Sequence, residues 1–152
     1  MDAKQRQKVD AVLLTLRIFW VLLLGGIVMF TAVVAFLIVQ GVAPLLGDMP
    51  PLVHYMPLIL LVISVLIGYT MRLLIYRQRR TPTGVSPDGF FLANMILLAL
   101  LEGSAMLGVV VVLLTGQFWP AYSATVLALM LFVFNWPRRD AMEPAPMEPL
   151  KP

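Results

Sequence analysis

The sequence predicts an all-α membrane protein with four transmembrane helices, in two antiparallel hairpins, and with both the N and C termini in the cytoplasm. The first observation is composition, because 61% of the 152 residues are hydrophobic and only 12% are charged. Soluble domains are about half apolar and about a quarter charged. The second is that the apolar residues gather in four long runs, and the third is that basic residues flank these runs on one side only.

The four apolar runs cover about residues 18–39, 57–75, 90–114 and 120–136. About 20 helical residues, each rising ~1.5 Å, cross the ~30 Å hydrocarbon layer of a bilayer. The runs are continuously apolar, whereas the strands of a membrane barrel alternate between apolar and polar residues. Because hydrocarbon offers no hydrogen bonds to the backbone, each run is expected to be a helix within one domain, residues 17–136.

The segments outside the runs are polar or rich in glycine and proline. Residues 1–16 are expected to form a partly helical cytoplasmic extension. The run that follows is longer than the ~7–15-residue core of a signal peptide, so the first helix is expected to be retained as an anchor. Glycines and prolines predict irregular loops over 40–56 and 77–89, and a tight turn over 115–117 predicts a hairpin of helices three and four. The proline-rich residues 137–152 are expected to be a disordered cytoplasmic tail.

All eleven Lys and Arg residues lie before the first helix, near the end of the second, or after the fourth. None lies in the loop 40–56 or in residues 115–120. By the positive-inside rule, both termini and the middle loop are expected to be cytoplasmic. The chain is expected to be a multi-pass protein of a cell membrane, namely the bacterial inner membrane. The same charges are expected to contact anionic lipid headgroups, with no nucleic acid as partner.

Glu102 is the only acidic residue inside an apolar run, and it lies near the middle of the third. A carboxylate at the bilayer centre costs roughly 3 kcal/mol or more. Arg17 and Arg72 can extend to the headgroups, so no cation is expected at its depth. We therefore expect a candidate proton or ion site in which the carboxyl is protonated or hydrogen-bonded. Counting inward from the cytoplasmic face gives the hydroxyls at a similar depth as possible partners: Ser104, Thr31, Ser64 and Thr125.

Helix three is rich in small residues, which let a neighbouring helix backbone approach closely. Ala99 and Gly103 form one small-xxx-small pair, and Ser104 and Gly108 form another. Gly26 of helix one is expected to supply a complementary groove. We therefore predict that Gly26, Ala99, Gly103 and Gly108 are helix-packing residues.

A weak internal repeat relates the first and third helices. Gly26 and Gln40 match Gly103 and Gln117, each 77 residues later along the chain. Low-complexity apolar sequence also produces such matches, so duplication of a hairpin stays open.

Catalysis and cofactor binding are not expected. Cysteine is absent and His54 is the only histidine, so thiol chemistry is excluded and a metal site is not predicted. Glu102 and Ser104 are two residues apart, so on a helix they point ~200° from each other and form no dyad. Asp48 with His54 is interpreted as part of a polar loop.

The residues around Glu102 resemble a known ion-binding helix. Residues 101–108 (LEGSAMLG) are similar to the ion-binding helix of rotary ATP synthase subunit c, and this resemblance implies that Glu102 carries a proton. The whole chain resembles small bacterial four-helix integral membrane proteins, a resemblance that implies no activity.

Two functions follow as expectations. The first is a non-enzymatic accessory or structural subunit of a membrane assembly, with other membrane subunits or a second copy as partner. Small-residue stripes and short loops favour it. The alternative is proton or ion translocation with Glu102 as the titrating group.

Overall fold

The computed structural model describes residues 3–42, 44–46, 49–81, 84–139 and 142. Within this part of the chain it has four helices, as the sequence predicts. They are α1 (Ala3–Val39), α2 (Pro51–Gln78), α3 (Pro87–Thr115) and α4 (Ala121–Phe134). Two short antiparallel strands, β1 (Arg80–Thr81) and β2 (Gly84–Val85), join α2 to α3.

Three helices, α1, α2 and α3, are long and apolar enough to cross a membrane. The fourth helix is apolar but has 14 residues. At ~1.5 Å per residue it is about 21 Å long, which is shorter than the ~30 Å hydrocarbon layer. The chain therefore has the helices of a membrane protein, and a fourth crossing by α4 stays a prediction.

Two helices extend well beyond the apolar runs that predict them. α1 includes the polar residues assigned to a cytoplasmic extension, because Lys, Gln and Arg favour a helix as strongly as most apolar residues do. α2 begins at Pro51, where a proline in the first turn loses no hydrogen bond, and it continues through the interior Pro57. The irregular part of the predicted external loop is correspondingly shorter than 40–56.

The ends of α3 follow the sequence signals for helix capping. The Ser86 hydroxyl accepts a hydrogen bond from the Gly89 N–H at 3.3 Å, and Pro87 takes the first helical position. At the other end Gly116 has φ of 70°, a left-handed conformation that glycine adopts without strain. α3 is thus bounded within a few residues of the predicted 90–114.

α3 is the central helix of the bundle. It packs against each of the other three helices, whereas α1 packs chiefly on α3. Buried residues lie along its whole length, among them Phe90, Leu97, Leu101 and Val109. Large apolar side chains on the outer faces of α1 and α2 are exposed, as expected for a surface that faces lipid.

The end of α4 is fixed by α1. The Trp20 indole N–H donates to the carbonyl of Phe132 at 2.9 Å, in a buried position. The Trp20 ring also meets the Trp136 ring edge-on, with centroids 4.8 Å apart. The Phe132 carbonyl, in the last turn of α4, also accepts from the N–H of the C-cap residue Asn135 at 3.2 Å, so the indole is its second donor.

The predicted tail, 137–152, lies mostly outside the described residues. Of the part that is described, Met142 is 3% exposed and belongs to the hydrophobic core. Arg139 forms an ion pair with Asp10 of α1. The chain therefore returns to the bundle after α4.

Candidate functional site around Glu102

Glu102 lies half-buried on α3, next to the exposed residues Ala99 and Gly103. Among the described residues it has no hydrogen-bond or ion-pair partner. Its carboxyl therefore lies at the surface of the bundle, near the middle of a helix long enough to span a membrane.

Contacts between α1 and α3 give the level of Glu102 along the bundle. The rings of Phe19 and Phe91 are 6.3 Å apart, and Val34 and Val109 line the same small cavity. Together with the Lys8–Asp88 ion pair, these pairs show that the helices are parallel, with residues at the same level roughly 72–80 positions apart. Glu102 is therefore level with about residues 22–30 of α1, a stretch that includes Gly26.

The hydroxyls predicted to bind Glu102 have other roles in the structure. Ser104 Oγ lies 2.9 Å from Ser64 Oγ and 2.9 Å from the carbonyl of Leu100, so it links α3 to α2. Thr125 Oγ1 donates to the carbonyl of Ala105 at 2.9 Å and links α4 to α3. All three lie at about the level of Glu102 along the bundle. Ser104 points ~200° away from Glu102 on α3, and the hydroxyls of Ser64 and Thr125 bond to the sides of α3 that face α2 and α4.

Thr31, the fourth predicted partner, lies on α1. Its Oγ1 is buried and has no hydrogen-bond partner among the described residues. It lines a cavity of about 40 Å³, large enough for a water molecule. The other residues lining this cavity come from α1, α3, the turn before α4 and the first turn of α4, namely Val34, Ala35, Val109, Val112, Phe118 and Tyr122.

The four predicted packing residues fall into two groups. At Gly108 an added Cβ would lie 2.5 Å from Thr125 Oγ1 and 2.8 Å from the carbonyl oxygen of Ala121, so α3 and α4 are in close contact there. At Gly26 and Gly103 no described atom lies within 4 Å of such a Cβ, and Ala99 is exposed. Of these four, Gly108 alone lies in a helix contact among the described residues, and packing by the other three stays a prediction.

A second close contact was missed by the sequence analysis. At Gly68 of α2 an added Cβ would lie 2.7 Å from Leu97 Cδ1. Ser64, four residues earlier, makes the hydrogen bond to Ser104. Ser64 and Gly68 are a small-xxx-small pair, the signal that would have identified this contact.

A polar cluster between the ends of α2, α3 and α4 was also missed. It consists of Tyr69, Arg72, Tyr76, Asn94 and Asn135, which are joined by hydrogen bonds. The signal was Asn94, an amide inside an apolar run, which is 3% exposed in the structure. A buried amide requires hydrogen-bond partners from neighbouring helices.

His54 is buried in α2, and its Nδ1 has no hydrogen-bond partner in the described part of the chain. Asp48, with which it was paired in the sequence analysis, lies outside the described residues. No group of three or more His, Cys, Asp or Glu side chains that could hold a metal ion occurs among the residues that the structure describes.

Comparisons of this chain with protein-family models, with curated proteins and with solved structures found no match. The function is therefore inferred from the chemistry of its own residues.

Proposed function

We propose that this chain is a non-enzymatic accessory or structural subunit of a membrane assembly. In this proposal, the surface around Glu102 docks a transmembrane helix of another protein. The observation that carries the proposal is the carboxyl of Glu102, which has no partner among the described residues and lies beside exposed small residues. We call Gly26, Ala99, Glu102 and Gly103 the Glu102 face.

The Glu102 face carries small side chains, unlike the outer surface of α2. Gly26 and Gly103 have open space where a Cβ would lie, and Ala99 adds only a methyl group. On α2, by contrast, the outer surface carries large apolar residues such as Val62 and Leu66. Small residues let a second helix approach closely, which is how helices associate in a bilayer.

The expected partner carries a basic residue at the depth of Glu102. An ionised carboxyl in hydrocarbon requires a compensating charge or a proton. The basic residues of this chain lie outside its apolar runs or near their ends, as Arg17 and Arg72 do, so a second copy brings no cation to this depth. A transmembrane helix of another subunit with a Lys or Arg at mid-membrane satisfies the carboxyl and fits the small-residue surface.

The proposed topology has four membrane crossings with both termini in the cytoplasm of a bacterial inner-membrane protein. The ion pair between Lys8 and Asp88, at 3.1 Å, joins the start of α1 to the start of α3. Asp10 and Arg139 join α1 to the segment after α4. These contacts support the proposal because they gather the basic segments at one end of the bundle, the end that the positive-inside rule assigns to the cytoplasm.

Site-specific photo-crosslinking in native membranes tests the docking proposal. A photoreactive residue at Gly103 is expected to give one main adduct, with a membrane protein whose transmembrane helix carries a basic residue. The same probe at Leu66, on the outer surface of α2, is the matched control. Glu102→Gln is expected to reduce the Gly103 adduct at least fivefold, because it removes the charge and keeps the shape.

Two results would contradict this proposal. One is a crosslinking yield at Leu66 equal to that at Gly103, which would show that the chain contacts neighbouring proteins without preference for one surface. The other is a Gly103 adduct of unchanged yield in the Glu102→Gln variant, which would show that the carboxyl has no part in docking.

Proton or ion translocation is the alternative, and the same unpaired carboxyl favours it because a titrating group must be accessible. Proton flux into liposomes that contain the purified protein separates the two functions. Proton flux in the native protein that is lost in the Glu102→Gln variant supports translocation. Absence of proton flux in the native protein excludes translocation.

A further inference from the structure

Arg72 is held in a fixed position by a hydrogen-bonded cluster between α2, α3 and the segment after α4. Its Nε donates to the Tyr76 hydroxyl at 3.2 Å, and one of its Nη atoms donates to Asn135 Oδ1 at 3.0 Å. Asn94 Nδ2 also donates to the Tyr76 hydroxyl, at 3.0 Å, and Asn135 Nδ2 donates to the Tyr69 hydroxyl at 2.8 Å. The guanidinium is therefore oriented before any ligand binds.

This guanidinium has no acidic partner among the described residues, unlike Lys8 and Arg139, which pair with Asp88 and Asp10. A guanidinium has five N–H donors, and the cluster uses two of those on Arg72. The side chain is half-buried, so part of it remains accessible from the surface. Its charge and its remaining donors are left for a ligand from outside the chain.

A second cation lies near the same place. The Arg17 guanidinium lies 5.4 Å from the centroid of the Trp136 ring, and Trp136 directly follows Asn135 in the chain. Two arginines from different helices therefore flank residues 135–136. Such an arrangement raises the local positive potential and favours an anion.

The position of the cluster indicates which kind of anion would fit it. Arg72 is less than two turns from the end of α2 and contacts Tyr76. Tyr69 bonds to Asn135 of the same cluster, and Trp136 follows Asn135 in the chain. Aromatic side chains of this kind concentrate at the level of the lipid headgroups. The planar fork of arginine matches the oxygen atoms of a phosphate group.

We propose that Arg72, positioned by Tyr76 and Asn135, binds the phosphate of an anionic phospholipid in the cytoplasmic leaflet. This site is separate from the Glu102 face and does not depend on the partner proposed there, whereas the assignment to the cytoplasmic leaflet rests on the proposed topology. A purely structural role is the competing explanation, because α4 has no basic residue in its last turn and Arg72 also stabilises the negative end of its dipole.

Native mass spectrometry of the purified full chain, titrated with phosphatidylglycerol, measures this binding. Arg72→Gln is expected to raise the dissociation constant about fivefold, the effect of one cation near a membrane surface. Arg77→Gln removes the same charge from an exposed position on the same helix and is expected to raise it less than twofold. Arg72→Lys keeps the charge without the fork and is expected to give an intermediate value.

The same titration separates the two possible sources of phosphate. Inorganic phosphate at millimolar concentration is expected to leave phosphatidylglycerol bound, and displacement of the lipid would overturn the assignment to a lipid. Equal effects of Arg72→Gln and Arg77→Gln would also overturn it, because they would show that surface charge alone attracts the lipid.

A folding control keeps the test decisive. Circular dichroism and the melting temperature of each variant in detergent show whether the bundle is intact. If Arg72→Gln does not fold, Tyr76→Phe takes its place, since it removes the acceptor that orients the guanidinium and changes no charge. A rise of about twofold or more in its dissociation constant supports the site, and a value equal to that of the native protein refutes it.

Discussion

Gly108→Ala is expected to lower the free energy of unfolding by about 1–3 kcal/mol, because the added methyl group would overlap α4. The new Cβ would lie 2.5 Å from Thr125 Oγ1 and 2.8 Å from the carbonyl oxygen of Ala121. The first atom belongs to a side chain and the second to the backbone of α4. Side-chain rotation alone therefore cannot remove the overlap, and the two helices must separate.

The magnitude follows from three contributions. Overpacking of a close contact costs about 1–3 kcal/mol. If Thr125 turns away, it loses its 2.9 Å hydrogen bond to the carbonyl of Ala105, which is worth about 0.5–1.5 kcal/mol. Alanine favours a helix over glycine by up to about 1 kcal/mol, and this gain opposes the other two. The net change is a loss of stability.

Reversible unfolding in mixed micelles of increasing dodecyl sulfate content, followed by circular dichroism, measures the change. Gly103→Ala is the matched control, because it lies five residues away on the same helix and no described atom is within 4 Å of its new Cβ. Thr125→Ala in the Gly108→Ala background removes one of the two overlaps, so the double variant should lose less than the sum of the single losses. Equal stability of Gly108→Ala and Gly103→Ala would refute the packing argument.

Three further substitutions can be measured in the same unfolding assay. Trp20→Phe removes the 2.9 Å hydrogen bond to the carbonyl of Phe132, which keeps the Asn135 N–H as a donor, and is expected to cost about 0.5–1.5 kcal/mol; unchanged stability would show that the indole bond does not stabilise the bundle. Ser64→Ala removes one interhelical hydrogen bond, to Ser104, and is expected to cost about 0.6 kcal/mol; a loss above about 2 kcal/mol would contradict this estimate. Thr31→Val replaces a buried hydroxyl that has no partner among the described residues, so stability should stay the same or rise by up to about 1 kcal/mol; a clear loss would reveal a bound water or another partner.

Much of the helical architecture could be predicted from the sequence, because a bilayer admits few backbone structures. Four continuously apolar runs predict four helices, and the structure has four in the described chain. The ends of the helices were less predictable, since hydropathy detects the apolar part of a helix and not its polar continuation. α1 therefore starts at Ala3, well before residue 18. The burial of Met142 was also not foreseen, because the few apolar residues of 137–152 are scattered among prolines and charged residues and give no periodic signal.

The site could be predicted only in part. Glu102 was identified because an acid within an apolar run is rare, but the depth of a residue does not give the direction of its side chain. Ser64, Ser104 and Thr125 lie at about the right depth and bond to other helices. Which small residues lie in contacts also depends on how the helices pair. Gly108 lies against α4 whereas Gly103, on the same helix, lies at the surface.

The shortness of α4 has a consequence for the surrounding lipid. A helix of about 21 Å packed beside helices of 28 and 29 residues gives the apolar surface of the protein two different heights. If α4 crosses the bilayer, as the proposed topology has it, acyl chains next to it must shorten or tilt to match it, at a cost of a fraction of a kcal/mol for each Å of mismatch. Lipids with shorter chains are then expected to gather along this side, and the bilayer around the protein is expected to be deformed asymmetrically.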